Sequence, residues 1–164
     1  MGVLTDACIE YANGLLERGA DAITLIDSEA GPDIISPQMF ETSVFPLYGK
    51  FCKNVKGLKI LHMCGDATLV LDPLANAGFD GISIEEKVDV SFAKDIISDR
   101  VRLIGNVSPS DTLLTKGPEA VFIEATACLE DGIDILAPGC GLAPHTPLEN
   151  IKTLVKARDD YFLQ

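Results

Sequence analysis

The chain has 164 residues, 47% of them hydrophobic and 23% charged, a composition that folds into one soluble globular domain and does not stay disordered. A formal net charge of −12 repels phosphate backbones, which argues against nucleic acid as a partner. No apolar run approaches the roughly 18 residues of a membrane span, and "MGVLTDACIEY" carries Asp6 and Glu10 where a signal peptide has a basic region. The expected compartment is therefore the cytoplasm, with no membrane contact.

Helical and strand-like patterns alternate along the chain. Residues 5–18 read as a helix, and the apolar run "DAITLID" (21–27) as a buried strand. A helix is expected over 37–54, with Ser36 as N-cap and Pro37 in its first turn. "LKILHM" (58–63) is the second strand, followed by a helix over 67–77. "DGISIE" (80–85) and a helix over 90–98 come next, then "VRLIGN" (101–106) and a short helical turn at 109–114. A helix over 118–130, the strand "DILAPG" (134–139) and a helix over 147–161 complete the pattern. The last helix is opened by Thr146-Pro-Leu-Glu149, a capping-box spacing. Three junctions, "ERGADAITLID", "ANAGFDGISIE" and "LEDGIDILAPG", share a Gly past the helix end and an Asp at the strand start.

Strand, helix, strand, helix means a parallel sheet with helices outside, here in a single α/β domain over residues 1–164. A doubly wound sheet and a (β/α)8 barrel both fit. Asp27, His62, Cys64, Glu85, Asn106 and Cys140 all fall at or just after the C-terminal ends of strands, and one functional rim fed by many strands is the habit of barrels. A complete barrel needs eight strands and about 250 residues. The expectation is therefore the C-terminal part of a TIM-type barrel, about five parallel strands with helices, not a complete barrel. Its open face, expected to carry Ile60, Ile82, Ile84, Leu103 and Ile135, would be covered by homo-oligomerisation or by a separate chain supplying an N-terminal half.

Five cysteines, with no mark of secretion, argue against a disulfide framework. Cys8, Cys52 and Cys128 lie in helical patterns, where cysteine packs as a small apolar residue. His62 and Cys64 are different. Two residues apart at a strand end, they point to the same side. Cys140 lies between Gly139 and Gly141, which let backbone approach closely. Imidazole and thiolate are favoured zinc ligands, and three protein ligands with an open position describe a catalytic zinc; the spacing alone fits packed core residues better than a metal site. Asp66 either accepts a hydrogen bond from His62 or caps the following helix. Asp27, Ser28 and Asn106 lie on the rim and are candidates for a substrate pocket, as is Ser108, whose place before Pro109 also suits an N-cap.

"HMCG", "GFDGISIEEKVDV", "VRLIGNVSPSDTLLTKGPEAV" and "ILAPGCGLAPHTPLENIKTLVKA", with "DSEAGPDIISPQMFETSVFPLYGKF" before them, resemble the uroporphyrinogen decarboxylase superfamily. Within it they are most similar to the zinc-dependent methylcobamide:coenzyme M methyltransferases of methanogens. The resemblance runs over nearly the whole chain but covers only the C-terminal portion of such proteins. It implies zinc on His62, Cys64 and Cys140, with Glu85 either a fourth ligand or one of a solvated Glu85–Glu86 pair. It implies a methyl group passed from a corrinoid, carried by a partner corrinoid protein, to a thiol such as coenzyme M. His145, in the loop after Cys140, would meet the sulfonate or a corrinoid edge, or stay in solvent. The competing readings are a metal-free decarboxylase of porphyrinogens and a half-barrel inactive without a partner chain.

Overall fold

The structure is a computed structural model that describes residues 2–163. Five strands, β1 (Ala22–Asp27), β2 (Leu58–Met63), β3 (Gly81–Ser83), β4 (Arg102–Val107) and β5 (Ile135–Pro138), lie side by side in chain order. All four pairings are parallel. The sheet is open, a part of a barrel and not a closed one. Around it run α1 (Gly2–Leu16), α2 (Pro37–Met39), α3 (Phe45–Asn54), α4 (Leu71–Ala75), α5 (Val90–Ile97), α6 (Pro118–Glu130) and α7 (Leu148–Phe162).

Helix interruptions coincide with proline. The helix expected over 37–54 contains a π-helical stretch at Phe40–Val44, where the Phe45 N–H bonds to Phe40 O, five residues back. Pro46 follows at once and has no N–H to offer Thr42, so the ladder is already broken there. The helix expected over 67–77 is likewise a 3-10 turn (Thr68–Val70) and the short α4, which contains Pro73. At the other end of the chain the capping box does not form. Pro147 is the N-cap of α7, without a side-chain hydrogen bond, and the Thr146 hydroxyl is turned inward. Asn150, 1% exposed, secures α7 instead, donating from Nδ2 to Leu113 O and Lys116 O, both at 2.8 Å.

Register decides which face each side chain meets. Leu25, Leu61, Ile82 and Leu103 form one cross-strand row, and the last three are fully buried beneath the helices. The adjacent row on the opposite face is Ile26, His62, Ser83, Ile104 and Ile135. Ile82, Ile84 and Leu103 thus belong to the core, and the open face carries Ile26, Leu58 and Ile135, at 67%, 57% and 50% exposure. The sequence expectation assigned three of its five residues to the wrong side, because a strand as short as β3 shows too little alternation to set its phase.

The recurring Asp at the strand start has a physical use. Asp80 Oδ2 accepts the Lys59 N–H at 2.8 Å, and Asp134 Oδ2 accepts the Leu103 N–H at 2.8 Å. Each carboxylate fastens its own strand to the start of the preceding one. Asp134 also pairs with Lys94 at 2.9 Å and Arg102 at 3.1 Å. Burial alone would raise its pKa, but the Leu103 amide and the two cations outweigh burial and hold the carboxyl below its ordinary value. A depressed carboxylate adds stability above its unfolded pKa of about 4 and loses it as pH falls through the folded value. Urea unfolding from pH 2 to 6 should therefore show Asp134→Asn less stable than wild type above about pH 4. The two curves should converge at the acid end; a constant gap would exclude an ionic role for Asp134.

Candidate functional site

Three strand ends converge on one cluster. His62 lies near the end of β2, 9% exposed. Its Nδ1 is 3.0 Å from Ser83 Oγ, the residue paired with it in register on β3. Its Nε2 is 3.4 Å from Cys64 Sγ. With Nδ1–H donating to the serine, Nε2 keeps its lone pair for a ligand. Cys64 extends the β1–β2 pairing through its N–H to Asp27 O at 3.3 Å, and the chain then turns at Gly65, φ +78°. Glu85 stands just past β3. Cys140 follows β5, where the Gly139 N–H bonds to Val107 O at 2.8 Å. A Cβ on Gly139 would lie 2.9 Å from Glu86 Oε2 and 3.2 Å from Asn106 O, whereas one at Gly141 would meet open space. Only the first glycine is demanded by close approach.

The donor atoms of His62, Cys64, Glu85 and Cys140 all lie within 4.8 Å of one another. The fourth member is the carboxylate of Glu85, on the loop that leads from β3 to α5. One nitrogen, two sulfurs and one oxygen form a donor set that suits zinc. In a tetrahedral zinc site, bond lengths of about 2.3 Å to sulfur and 2.0–2.1 Å to nitrogen separate those atoms by about 3.5 Å, close to the 3.4 Å between Cys64 and His62.

The electrostatics favour a cation. Burial pushes the Cys64 thiol up to about 11, and Cys140, Glu85 and Asp27 add to the rise. Burial lowers the His62 pKa, against the opposing pull of Glu85 and the contact with Ser83, so the imidazole is neutral. Neutral imidazole and paired sulfurs beside a carboxylate are poised to exchange protons for a metal ion.

The other sequence candidates are employed differently. Asp66 does not meet His62; its Oδ1 accepts from Thr68 N at 3.0 Å and from the Thr68 hydroxyl. The hydrogen bond from the imidazole goes to Ser83, which the sequence gave no reason to select, since only the parallel register places it beside His62. Asp27 is bound within its own loop, Oδ1 accepting the Glu29 and Ala30 N–H groups at 3.0 Å and Oδ2 the Tyr48 hydroxyl at 2.9 Å. With exposed Ser28 it lines an apolar cavity beside β1. Asn106, 5% exposed, props the Glu85 loop: Nδ2 donates to Glu85 O at 3.1 Å and Val88 O at 2.9 Å, and Oδ1 accepts from Cys128 Sγ. Ser108 is an N-cap, accepting from Asp111 N at 3.1 Å. His145 is exposed, in the loop between β5 and α7.

Candidate chemistry gathered at the C-terminal ends of parallel strands is the arrangement of (β/α)8-barrel enzymes, of whose barrel this sheet is a part. A family model described as uroporphyrinogen decarboxylase (URO-D) matches residues 1–161, and the chain belongs to that family. It is 46% identical over 163 residues to the methylcobamide:CoM methyltransferase MtaA of Methanosarcina barkeri, covering 99% of this chain and 48% of that protein. It is 32% identical to the methylcobamide:CoM methyltransferase MtbA of Methanosarcina acetivorans, covering 96% of this chain and 47% of that one. Among solved structures, a methyltransferase from Methanosarcina mazei superposes with a TM-score of 0.94 at 45% identity, over 96% of this chain and 47% of that chain. The chain thus spans about half the length of the curated relatives it matches.

Ser83→Ala should leave the His62 Nδ1 without a partner. Nitrogen-15 NMR of the metal-free protein should show the wild-type imidazole held in the Nδ1–H tautomer. The variant should show a mixture, with stability reduced by about 1–2 kcal/mol. An unchanged tautomer would mean that Ser83 does not orient the ring.

Proposed function

We propose that this chain is the metal-holding half of a methyltransferase that moves a methyl group from a methylated corrinoid, carried by a partner protein, to a thiol of the coenzyme M kind. His62, Cys64 and Cys140 would hold zinc, with Glu85 as the fourth donor. The observation that carries the reading is the convergence of two sulfurs, one imidazole and one carboxylate within 4.8 Å, in a chain whose relatives are named methylcobamide:CoM methyltransferases. A metal-free decarboxylase has no use for such a donor set.

Zinc, when bound, supplies the positive charge that keeps a substrate thiol ionised at neutral pH. The protein's own residues prepare for that. Ser83 fixes the tautomer that leaves His62 Nε2 available. Cys64 and Cys140 give up their protons on binding the ion. Glu85, on a loop held by Asn106, sets a carboxylate oxygen near the sulfurs, where it can take the proton of an arriving thiol and pass it on to solvent. The five cysteines are all free, as befits a reducing cytoplasm, and no described helix is long and apolar enough to cross a membrane.

The reading includes a second half of the barrel beside β1. Asp21 occupies at β1 the place that Asp80 and Asp134 occupy at β3 and β5, which prepares it for the N–H of a preceding parallel strand. An apolar cavity of about 550 Å³ lies beside the same edge, lined by Leu4, Cys8, Ile26, Met39, Leu47 and Phe51.

One set of measurements tests both parts. The purified chain should bind one zinc, and Cys64→Ser and Cys140→Ser should each weaken binding by orders of magnitude. Calorimetry in buffers of different ionisation enthalpy should show about one proton released when coenzyme M binds the zinc-loaded protein. Turnover of methylcobalamin should be low until the N-terminal half of the M. barkeri relative is supplied. Full zinc retention in the serine variants would overturn the ligand assignment, and ordinary turnover by the chain alone would overturn the need for a second half.

A further inference from the structure

We infer that Asp33 is a positioning residue that fastens the Cys64 loop to the Glu85 loop across the mouth of the site. The inference rests on the metal-centre reading for its consequence and on hydrogen bonding for its substance. Asp33 lies in the loop after β1, its side chain 49% exposed. Oδ2 accepts the Asp66 N–H at 3.1 Å and also takes the Lys87 ammonium at 3.5 Å. Asp66 is two residues past Cys64, and Lys87 two past Glu85. A single carboxylate therefore touches two of the three segments that deliver donor atoms to the cluster, although it comes from the end of β1, which delivers none.

The surrounding backbone is shaped to this contact. Gly31 O accepts the Ile34 and Ile35 N–H groups at 2.9 and 3.1 Å, making the turn that presents Asp33. A Cβ on Gly31 would lie 3.0 Å from Cys64 O, so the β1 loop packs directly on the backbone of the cysteine. Gly65 has φ +78°, and a Cβ there would run into Asp33 Oδ2. The two glycines allow the loops to close on the carboxylate.

The two loops depend on Asp33 unequally. The Glu85 loop has a second anchor, because Asn106 Nδ2 holds the carbonyls of Glu85 and Val88. Past Cys64, the Asp66 amide is held by Asp33 alone among the described residues. An ionised acceptor makes that bond stronger than a neutral one. Without it the turn at Gly65 loses its tether, and Cys64 Sγ loses its fixed place 3.4 Å from His62 Nε2. Ligand orientation by such outlying partners typically carries 10- to 100-fold in metal affinity.

The test compares wild type, Asp33→Ala, Asp33→Asn and Lys87→Ala. Amide hydrogen exchange is read on the metal-free proteins, and cobalt(II) binding is read by its visible absorption. Asp33→Ala should melt near the wild-type temperature, because the residue is half exposed, yet exchange faster at Asp66 and bind cobalt roughly 10- to 100-fold more weakly. Asp33→Asn keeps an acceptor and should fall between the two. Lys87→Ala should leave Asp66 exchange near the wild-type rate. Unchanged Asp66 exchange in Asp33→Ala, or unchanged cobalt affinity, overturns the inference. If the wild type binds no cobalt, the metal reading fails, and the exchange measurement alone decides whether Asp33 fastens the loop.

Discussion

The imidazole of His62, held between Ser83 Oγ at 3.0 Å and Cys64 Sγ at 3.4 Å, is the contact on which the rest of the site depends. It requires β2 and β3 to be parallel and in the register that pairs His62 with Ser83. It requires the two-residue period that turns His62 and Cys64 to one side. It also requires the chain to leave β2 immediately after Cys64, so that the sulfur folds back over the ring. Gly65, the Asp27 carbonyl and the Asp33 carboxylate provide that turn. The sheet is thus a device for setting three loop origins side by side, and the glycines let those loops approach closely.

Charge explains why such an arrangement is poised to bind. The chain is acidic overall, at −12, and the cluster adds a carboxylate beside two thiols. Without a cation the Cys64 thiol, pushed up to about 11 by burial and its acidic neighbours, stays protonated at neutral pH, and burial favours the neutral imidazole of His62. A divalent ion reverses the first of these preferences and uses the second, because it binds the ionised sulfur that burial and the surrounding acidity penalise together with the neutral imidazole. The proposed chemistry follows from that reversal, since a thiol substrate faces the same penalty.

Much of this was legible in the sequence. The five strands can be placed from short apolar runs bounded by Gly and Asp, and His62, Cys64, Glu85 and Cys140 are among six residues at strand ends, from which the family resemblance singles them out as ligand candidates. The open parallel sheet followed from the alternation of elements. What the sequence could not supply was phase and register. Ile82 and Leu103 were expected on the open face because three- to six-residue strands do not reveal their own alternation. The sequence points to Asp66 and not to Ser83 as the partner of His62, because the hydrogen bond to His62 crosses between strands and leaves no local trace. Asn106 was expected in the pocket, yet it serves the buried carbonyls of Glu85 and Val88, a need visible only once the loop is folded.

X-ray absorption at the zinc edge, on the zinc-loaded protein without substrate, tests the central claim most directly, because it counts sulfur neighbours without any mutation. The account predicts two sulfur atoms at about 2.3 Å, with the remaining shell filled by nitrogen and oxygen at about 2.0–2.2 Å. A shell of nitrogen and oxygen alone, or one with a single sulfur, would contradict it.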